Sequence, residues 1–149
     1  MRLDTLDEQI IAHLVRDARA SFAEIGTNVG LSAPAVKRRV DRLRGAGVIR
    51  GYAALVDPAE LGWSTEAFVE LYCTGRTSPT QIKTSLAQHP EVVAAYTVTG
   101  EADAVLHLLA EDTRHLEEAL ERIRGEAHVM QTKSVIVLSR LIERFRTTP

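Results

Sequence analysis

The sequence predicts an α+β protein of two modules, an N-terminal winged helix-turn-helix followed by a C-terminal ferredoxin-like βαββαβ domain. Three observations carry this. The first half repeats apolar residues at helical spacing and places two helix-capping signals around a Gly-Leu-Ser turn. From Thr65 onward the apolar period changes to alternation, and strand-like and helix-like stretches follow in the order β, α, β, β, α, β. Charge divides at the same place: residues 1–58 hold nine Lys or Arg and seven Asp or Glu, whereas residues 59–149 hold nine and thirteen. The expected boundaries are 1–50 for the first module, 51–64 for a linker strand and hinge, and 65–149 for the second.

Taken in order, LDTLDEQIIAHLVRDAR offers Asp4 or Thr5 as a cap, each with an acid three residues on. Leu6, Ile10, Ile11 and Leu14 then form a helical stripe from about Leu6 to Asp17. Ser21 with Glu24 is a reciprocal capping box and opens a short helix over Phe22 to Val29, burying Phe22, Ile25 and Val29. Gly30 suits the left-handed residue that ends it. Ser32 is the next N-cap, its hydroxyl expected to accept a first-turn N–H, and Pro34 sits where a missing N–H is harmless. At 100° per residue Val36, Val40 and Leu43 share one face, the core side. Pro34, Arg38, Asp41 and Arg42 point away from it, with Ala35 and Lys37 on the flanks. Gly45 and Gly47 bracket a turn, after which VIRGYAALVD extends to Pro58 as the strand of the wing.

In the second module TEAFVELYC alternates, with Ala67, Val69 and Leu71 on one face and Phe68 and Tyr72 on the other. Ser78 caps a short helix that carries Ile82 and Leu86 and stops before Pro90. VVAAYTVTG and AVLHLLAE are strands joined by a tight GEAD connection. DTRHLEEALERIRGEAH is a helix with Leu116, Ala119, Leu120 and Ile123 on one face and a Glu118–Arg122 pair on the other. VMQTKSVIVLSRLIERF closes the chain as a long strand. Two helices cover one face of a four-stranded antiparallel sheet. The other face, with Val135 to Leu138 apolar on both sides, needs a second copy of the chain, so a homodimer is expected.

Charge gives the first functional reading. Between Gly30 and Tyr52 there are six Lys or Arg (Lys37, Arg38, Arg39, Arg42, Arg44, Arg50) and one acid, Asp41, in a chain of net charge −2. A basic outer face on the second helix of a helix-turn-helix suits DNA phosphates, and its N-terminal side chains suit base edges in the major groove. A merely solvated charged face is the alternative. No apolar run approaches the length of a membrane span and no signal-peptide layout opens the chain. The single Cys73 fits a cytoplasmic protein and reads as packing. No phosphate loop, metal-spaced Cys/His cluster or nucleophile motif is present, so the expectation is a non-enzyme without cofactor or metal.

LDTLDEQII, DARASFAEIGTNVGLS followed by VKRRVDRLRGAGVIRGY, VDPAELG and EVVAAYTVTGEAD together resemble the Lrp/AsnC (feast/famine) regulators over nearly the whole chain. The resemblance implies a transcriptional regulator binding double-stranded DNA, with dimers assembling further, here to an octamer, around an amino acid held between dimers. Carried over by position, Ser32, Pro34, Ala35, Lys37, Arg38 and Arg42 would read DNA. Arg39 stands at the edge of the buried face, with an ion pair and a phosphate contact both open. The effector site would comprise Thr99, Gly100, Glu101, Ala102 and Asp103 with Gln131, Thr132 and Ser134. Backbone N–H groups around Gly100 and the hydroxyls of Thr132 and Ser134 would hold a carboxylate, and Glu101 or Asp103 an ammonium group. A plain hairpin turn is the alternative for that loop. Ala102 and Ala104 stand where the family often has aromatic residues, which implies room for a bulky or aromatic amino acid, or else a lost ligand. Two further alternatives are an architectural DNA protein without effector and an enzyme like the tetrapyrrole decarboxylases of the same fold. The latter have no use for a basic recognition helix.

Overall fold

A computed structural model describes residues 2–142. The chain divides into two compact units, one reaching Leu55 and the other running Val56–Leu141.

In the first unit α1 spans Thr5–Arg16, α2 Phe22–Val29 and α3 Ala33–Gly45. Each of the first two begins with a capping box, Asp4 with Asp7 and Ser21 with Glu24, in which side chain and backbone satisfy one another's first-turn donors. Gly30 ends α2 at φ 72°, the left-handed region that glycine enters without a Cβ clash. Ile10, Leu14, Ile25, Val36 and Val40 interlock as the core, and Leu43 is fully buried beside them in sequence register on α3. Each such side chain contributes about 1.5–3 kcal/mol when removed from water.

Two expectations need correction here. Ser32 stands at the N-cap of α3, but its hydroxyl makes no capping bond. Pro34 has no N–H to offer, and the Ala35 N–H is already taken by the Ser32 carbonyl at 2.9 Å, so the hydroxyl has no first-turn donor to accept. The wing strand is also absent among the described residues: after the turn at Gly47, residues 50–57 form no strand. Val48, Tyr52, Leu55 and Val56 are all exposed along this segment, so the chain offers it no sheet edge to join. Within the single chain, the described residues of the helix-turn-helix unit show no wing strand.

The second unit begins with a 3-10 turn, Pro58–Leu61, capped by Asp57 and ended by Gly62 at φ 87°. It continues with β1 (Thr65–Cys73), α4 (Pro79–Leu86), β2 (Val92–Thr97), β3 (Ala104–Ala110), α5 (Thr113–Arg124) and β4 (Val129–Ile136). The strands are antiparallel in the order β2-β3-β1-β4, the ferredoxin-like arrangement. Ala67, Val69 and Leu71 lie opposite Leu108, Leu106 and Ala104, and this face packs under Ile82, Leu86, Leu116 and Ile123. The other face carries Phe68, Tyr96 and Val135, all exposed.

β4 is shorter than the sequence suggests, because its partner runs out. Ala67 pairs with Ile136 and the Val137 N–H still reaches the Glu66 carbonyl at 2.8 Å, but β1 begins only one residue earlier. Residues 143–145 of the expected strand lie outside the described residues. The Glu118–Arg122 pair does not form; Arg122 instead bonds Glu91, a carboxylate 4% exposed that also lies 2.9 Å from His115 Nε2. A buried acid recruits the arginine more strongly than a solvated neighbour on the same helix.

Candidate nucleic-acid interface and effector loop

The outer face of α3 follows from its inner one. Val36, Val40 and Leu43 are 0–2% exposed and fix the rotation of the helix, which leaves Ser32, Pro34, Lys37 and Arg38 exposed and Ala35 half-buried. Lys37 Nζ lies 2.6 Å from Asp41 one turn on, with both side chains more than half exposed, so this pair yields readily to another anion. Arg38 projects from the same surface.

Arg39 and Arg42 are placed differently. Arg39 Nη1 lies 2.8 Å from both Asp4 and Asp7, so the ion pair is the reading that the geometry supports. Arg42 Nη2 donates to both carboxylate oxygens of Asp7 at 2.7 Å, although half of its side chain remains exposed. Asp7 itself is 1% exposed. Burial alone would push its carboxyl up, but Arg39, the Asp4 backbone N–H and Arg42 together hold it below the usual carboxylate range. Asp4 is likewise lowered, chiefly by Arg39 and then by the Asp7 N–H. Arg42, expected to point at DNA, thus faces α1 in the free protein.

The sequence carried a signal for this. Asp7 lies three residues before Ile10 and seven before Leu14, on the buried stripe, and a carboxylate on such a stripe requires a cationic partner. Gly26 is a second constrained position: a Cβ there would meet the Leu31 carbonyl oxygen at 2.3 Å. A glycine inside an eight-residue helix, just before the turn, was its mark.

In the second unit, Thr99 to Asp103 join β2 to β3, with Gly100 at φ 116°. The Asp103 N–H donates to the Leu71 carbonyl at 2.9 Å, and Asp103 Oδ2 accepts the Cys73 N–H at 2.7 Å. One side of this loop is therefore closed onto the end of β1, and Asp103 has part of its carboxylate engaged. Glu101 is exposed and Ala102 half-buried.

On the other flank of β1, Gln131 pairs with Tyr72, Thr132 with Leu71 and Ser134 with Val69. Paired residues share a face, so Thr132 and Ser134 lie on the helix-covered side and Gln131 on the open side. Thr132 Oγ1 accepts Arg124 Nε at 2.9 Å. The expected effector residues thus converge on one end of β1 but divide between two faces. Lys133, between them, shares the open face and sits 4.9 Å above the Tyr72 ring, while Tyr72 Oη donates to Glu70 at 2.7 Å. Cys73 is partly buried, and burial pushes its thiol up, which fits packing rather than reactivity. Among the described residues no group of three or more His, Cys, Asp or Glu is placed to hold a metal ion, and no helix is long and apolar enough to cross a membrane.

These features define a class: a helix-turn-helix with a basic outer helix, joined to a ferredoxin-like domain with a polar loop at the end of its first strand. The AsnC-type helix-turn-helix profile matches residues 3–44, and that of the Lrp/AsnC ligand binding domain matches residues 66–147. The chain belongs to the Lrp/AsnC family. It is 57% identical over 143 residues to the HTH-type transcriptional regulator Rv2324 of Mycobacterium tuberculosis, covering 96% of this chain and 97% of that protein. It is 37% identical over 137 residues to LrpA of the same organism, covering 92% and 91%. Among solved structures, a transcriptional regulator of Neisseria meningitidis in complex with L-methionine superposes with a TM-score of 0.90 at 27% identity, covering 99% of this chain and 97% of that one. A feast or famine regulatory protein of M. tuberculosis complexed with L-methionine gives 0.90 at 35% identity, covering 99% and 100%.

Proposed function

We propose that this protein is a cytoplasmic transcriptional regulator that binds double-stranded DNA through α3 and changes its binding or assembly when an amino acid occupies the loop at the end of β1. The observation that carries the reading is the surface of Ser32, Pro34, Ala35, Lys37 and Arg38, held outward by a fully buried opposite face on a helix that follows a capped, tightly turned partner. Family membership and methionine in two similar structures support the effector half. No cofactor and no catalytic step enter this reading.

The same reading keeps residues 1–50 as the DNA module, 51–64 as linker and 65–149 as the effector and assembly module. The exposed Phe68, Tyr96 and Val135 on the open sheet face favour a homodimer, and an octamer is the proposed higher assembly. Thr99, Gly100, Glu101, Ala102, Asp103 and Gln131 are the proposed first contacts of the effector, with Thr132 and Ser134 reached from the neighbouring face. The small Ala102 favours a bulky side chain.

The test is a binding isotherm on the DNA upstream of the protein's own gene, with and without a pool of the twenty amino acids. Binding that shifts with one component supports the reading; binding moved by none favours an architectural protein. Two outcomes are expected. With about six phosphate contacts per dimer, the log–log salt slope should be roughly −5, and Arg38→Ala should make it shallower by about one per subunit. A slope unaffected by Arg38→Ala would remove α3 from the interface. The matching amino acid at a hundred times its Kd should stabilise the protein by about 2.7 kcal/mol in a thermal scan, and a bulky one should outperform a small polar one. Stabilisation by small polar amino acids alone would overturn the role given to Ala102.

A further inference from the structure

Beyond the DNA face and the effector loop, the second unit holds a recess of about 640 Å³ between the β1–α4 loop, the outer side of α4 and the α5–β4 connection. Its lining is unusual for its surroundings. Residues 56–141 carry seven Lys or Arg against thirteen Asp or Glu, yet no carboxylate lines the recess, while Arg76 and His128 both do. Arg76 has no ion-pair partner among the described residues. His128 Nε2 is buried without a hydrogen-bond partner. A buried ring nitrogen without a partner is costly to keep unless a ligand completes it, and the solvent-exposed Arg76 guanidinium on the same lining carries a positive charge that no carboxylate there offsets.

The hydrogen bonds around the recess sort its remaining groups into donors and acceptors. Gln81 Oε1 accepts the Ser78 N–H at 2.8 Å, which turns the Gln81 amide so that its NH2 is the free end. Ser78 Oγ accepts the Gln81 N–H at 3.2 Å, so its own proton remains available. Thr77 Oγ1 donates to the Thr74 carbonyl at 2.8 Å, and Thr84 Oγ1 to the Thr80 carbonyl at 2.9 Å, leaving both with lone pairs for an incoming hydroxyl. The first turn of α4 is closed by its own capping box, so the recess does not depend on the free N–H groups of a helix end.

The geometry points to a second small-molecule site in this recess, taking a hydroxylated oxyanion such as a small sugar or polyol phosphate. Arg76, Gln81 and Ser78 donate to the oxyanion, and Thr77 and Thr84 accept from the ligand's hydroxyls. The recess is open to solvent, and seven of its lining side chains are Ser, Thr or Gln, which suits a small hydroxylated occupant. This site is separate from the effector loop and does not depend on the proposed response to amino acids.

The test uses the full-length protein with glycerol 3-phosphate as probe, read by titration calorimetry and by hydrogen–deuterium exchange. Saturable heat is expected, with slowed exchange in peptides covering residues 74–85 and 126–128. Arg76→Gln should weaken the affinity by about tenfold or more, since a charge-assisted bond to an oxyanion is lost, whereas Arg114→Gln on α5 should leave it unchanged. Both arginines are exposed, so neither variant threatens folding. Absence of saturable heat, equal affinity in Arg76→Gln, or protection confined to residues 99–103 would each overturn the proposal.

Discussion

Gly26→Ala is expected to destabilise the helix-turn-helix by roughly 3 kcal/mol, against the usual trend for alanine in a helix. Alanine at an open helical position gains up to about 1 kcal/mol over glycine. At Gly26 the added Cβ would lie 2.3 Å from the Leu31 carbonyl oxygen and 3.3 Å from its carbon. Those atoms belong to backbone, and the backbone there is tied down: the Leu31 N–H donates to the Gly26 carbonyl at 2.9 Å, and Gly30 between them is held at φ 72°. Relief requires α2 and α3 to move apart, which opens the core at Ile25 and Val36. Gly45→Ala, where a Cβ meets nothing within 4 Å, is the control and should be neutral or slightly stabilising. Urea melts of the two variants check this, followed through the first unit. Coincident transitions for Gly26→Ala and the parent protein would show that the turn has slack that the geometry denies.

The contrast between those two glycines illustrates what the sequence made legible and what it did not. Local rules were readable: the Ser21–Glu24 and Ser78–Gln81 boxes, the left-handed Gly30, and the alternation of Ala67, Val69 and Leu71 each involve residues within a few positions of one another. What escaped depends on partners far along the chain. Arg122 chose Glu91, which is 31 residues away, over the nearby Glu118, because the distant carboxylate is buried. The segment after Gly47 has strand composition but pairs with no strand of its own chain, and composition alone does not supply a partner. In the effector region, the loop and the last strand lie on opposite flanks of β1. The division of Gln131 from Thr132 and Ser134 follows from a one-residue parity in the β1–β4 register, which no sequence pattern fixes until the pairing is known.

The ion cluster on α1 and α3 allows the roles of the arginines to be separated by experiment. Asp7→Asn keeps the side-chain shape but leaves two guanidinium groups beside a neutral amide. Breaking a fully buried pair costs about 3–5 kcal/mol, and because Arg39 and Arg42 are 23% and 51% exposed, about 2 kcal/mol is the expected loss here. The pH dependence has a definite sign. The folded carboxyl of Asp7 lies below its unfolded value of about 3.9, so the stabilisation is complete above that pH and is lost as the pH falls through the folded value. Acid unfolding of the first unit should therefore steepen below about pH 4 in the parent protein and flatten there in Asp7→Asn, while neither changes between pH 5 and pH 7 on account of this group. Arg42→Gln completes the argument. If Arg42 serves α1, its loss lowers the urea midpoint and leaves the salt slope of DNA binding where it was. A slope made shallower by about one per subunit, with little loss of stability, would show that phosphate displaces Asp7 from Arg42 on binding and would return that arginine to the DNA interface.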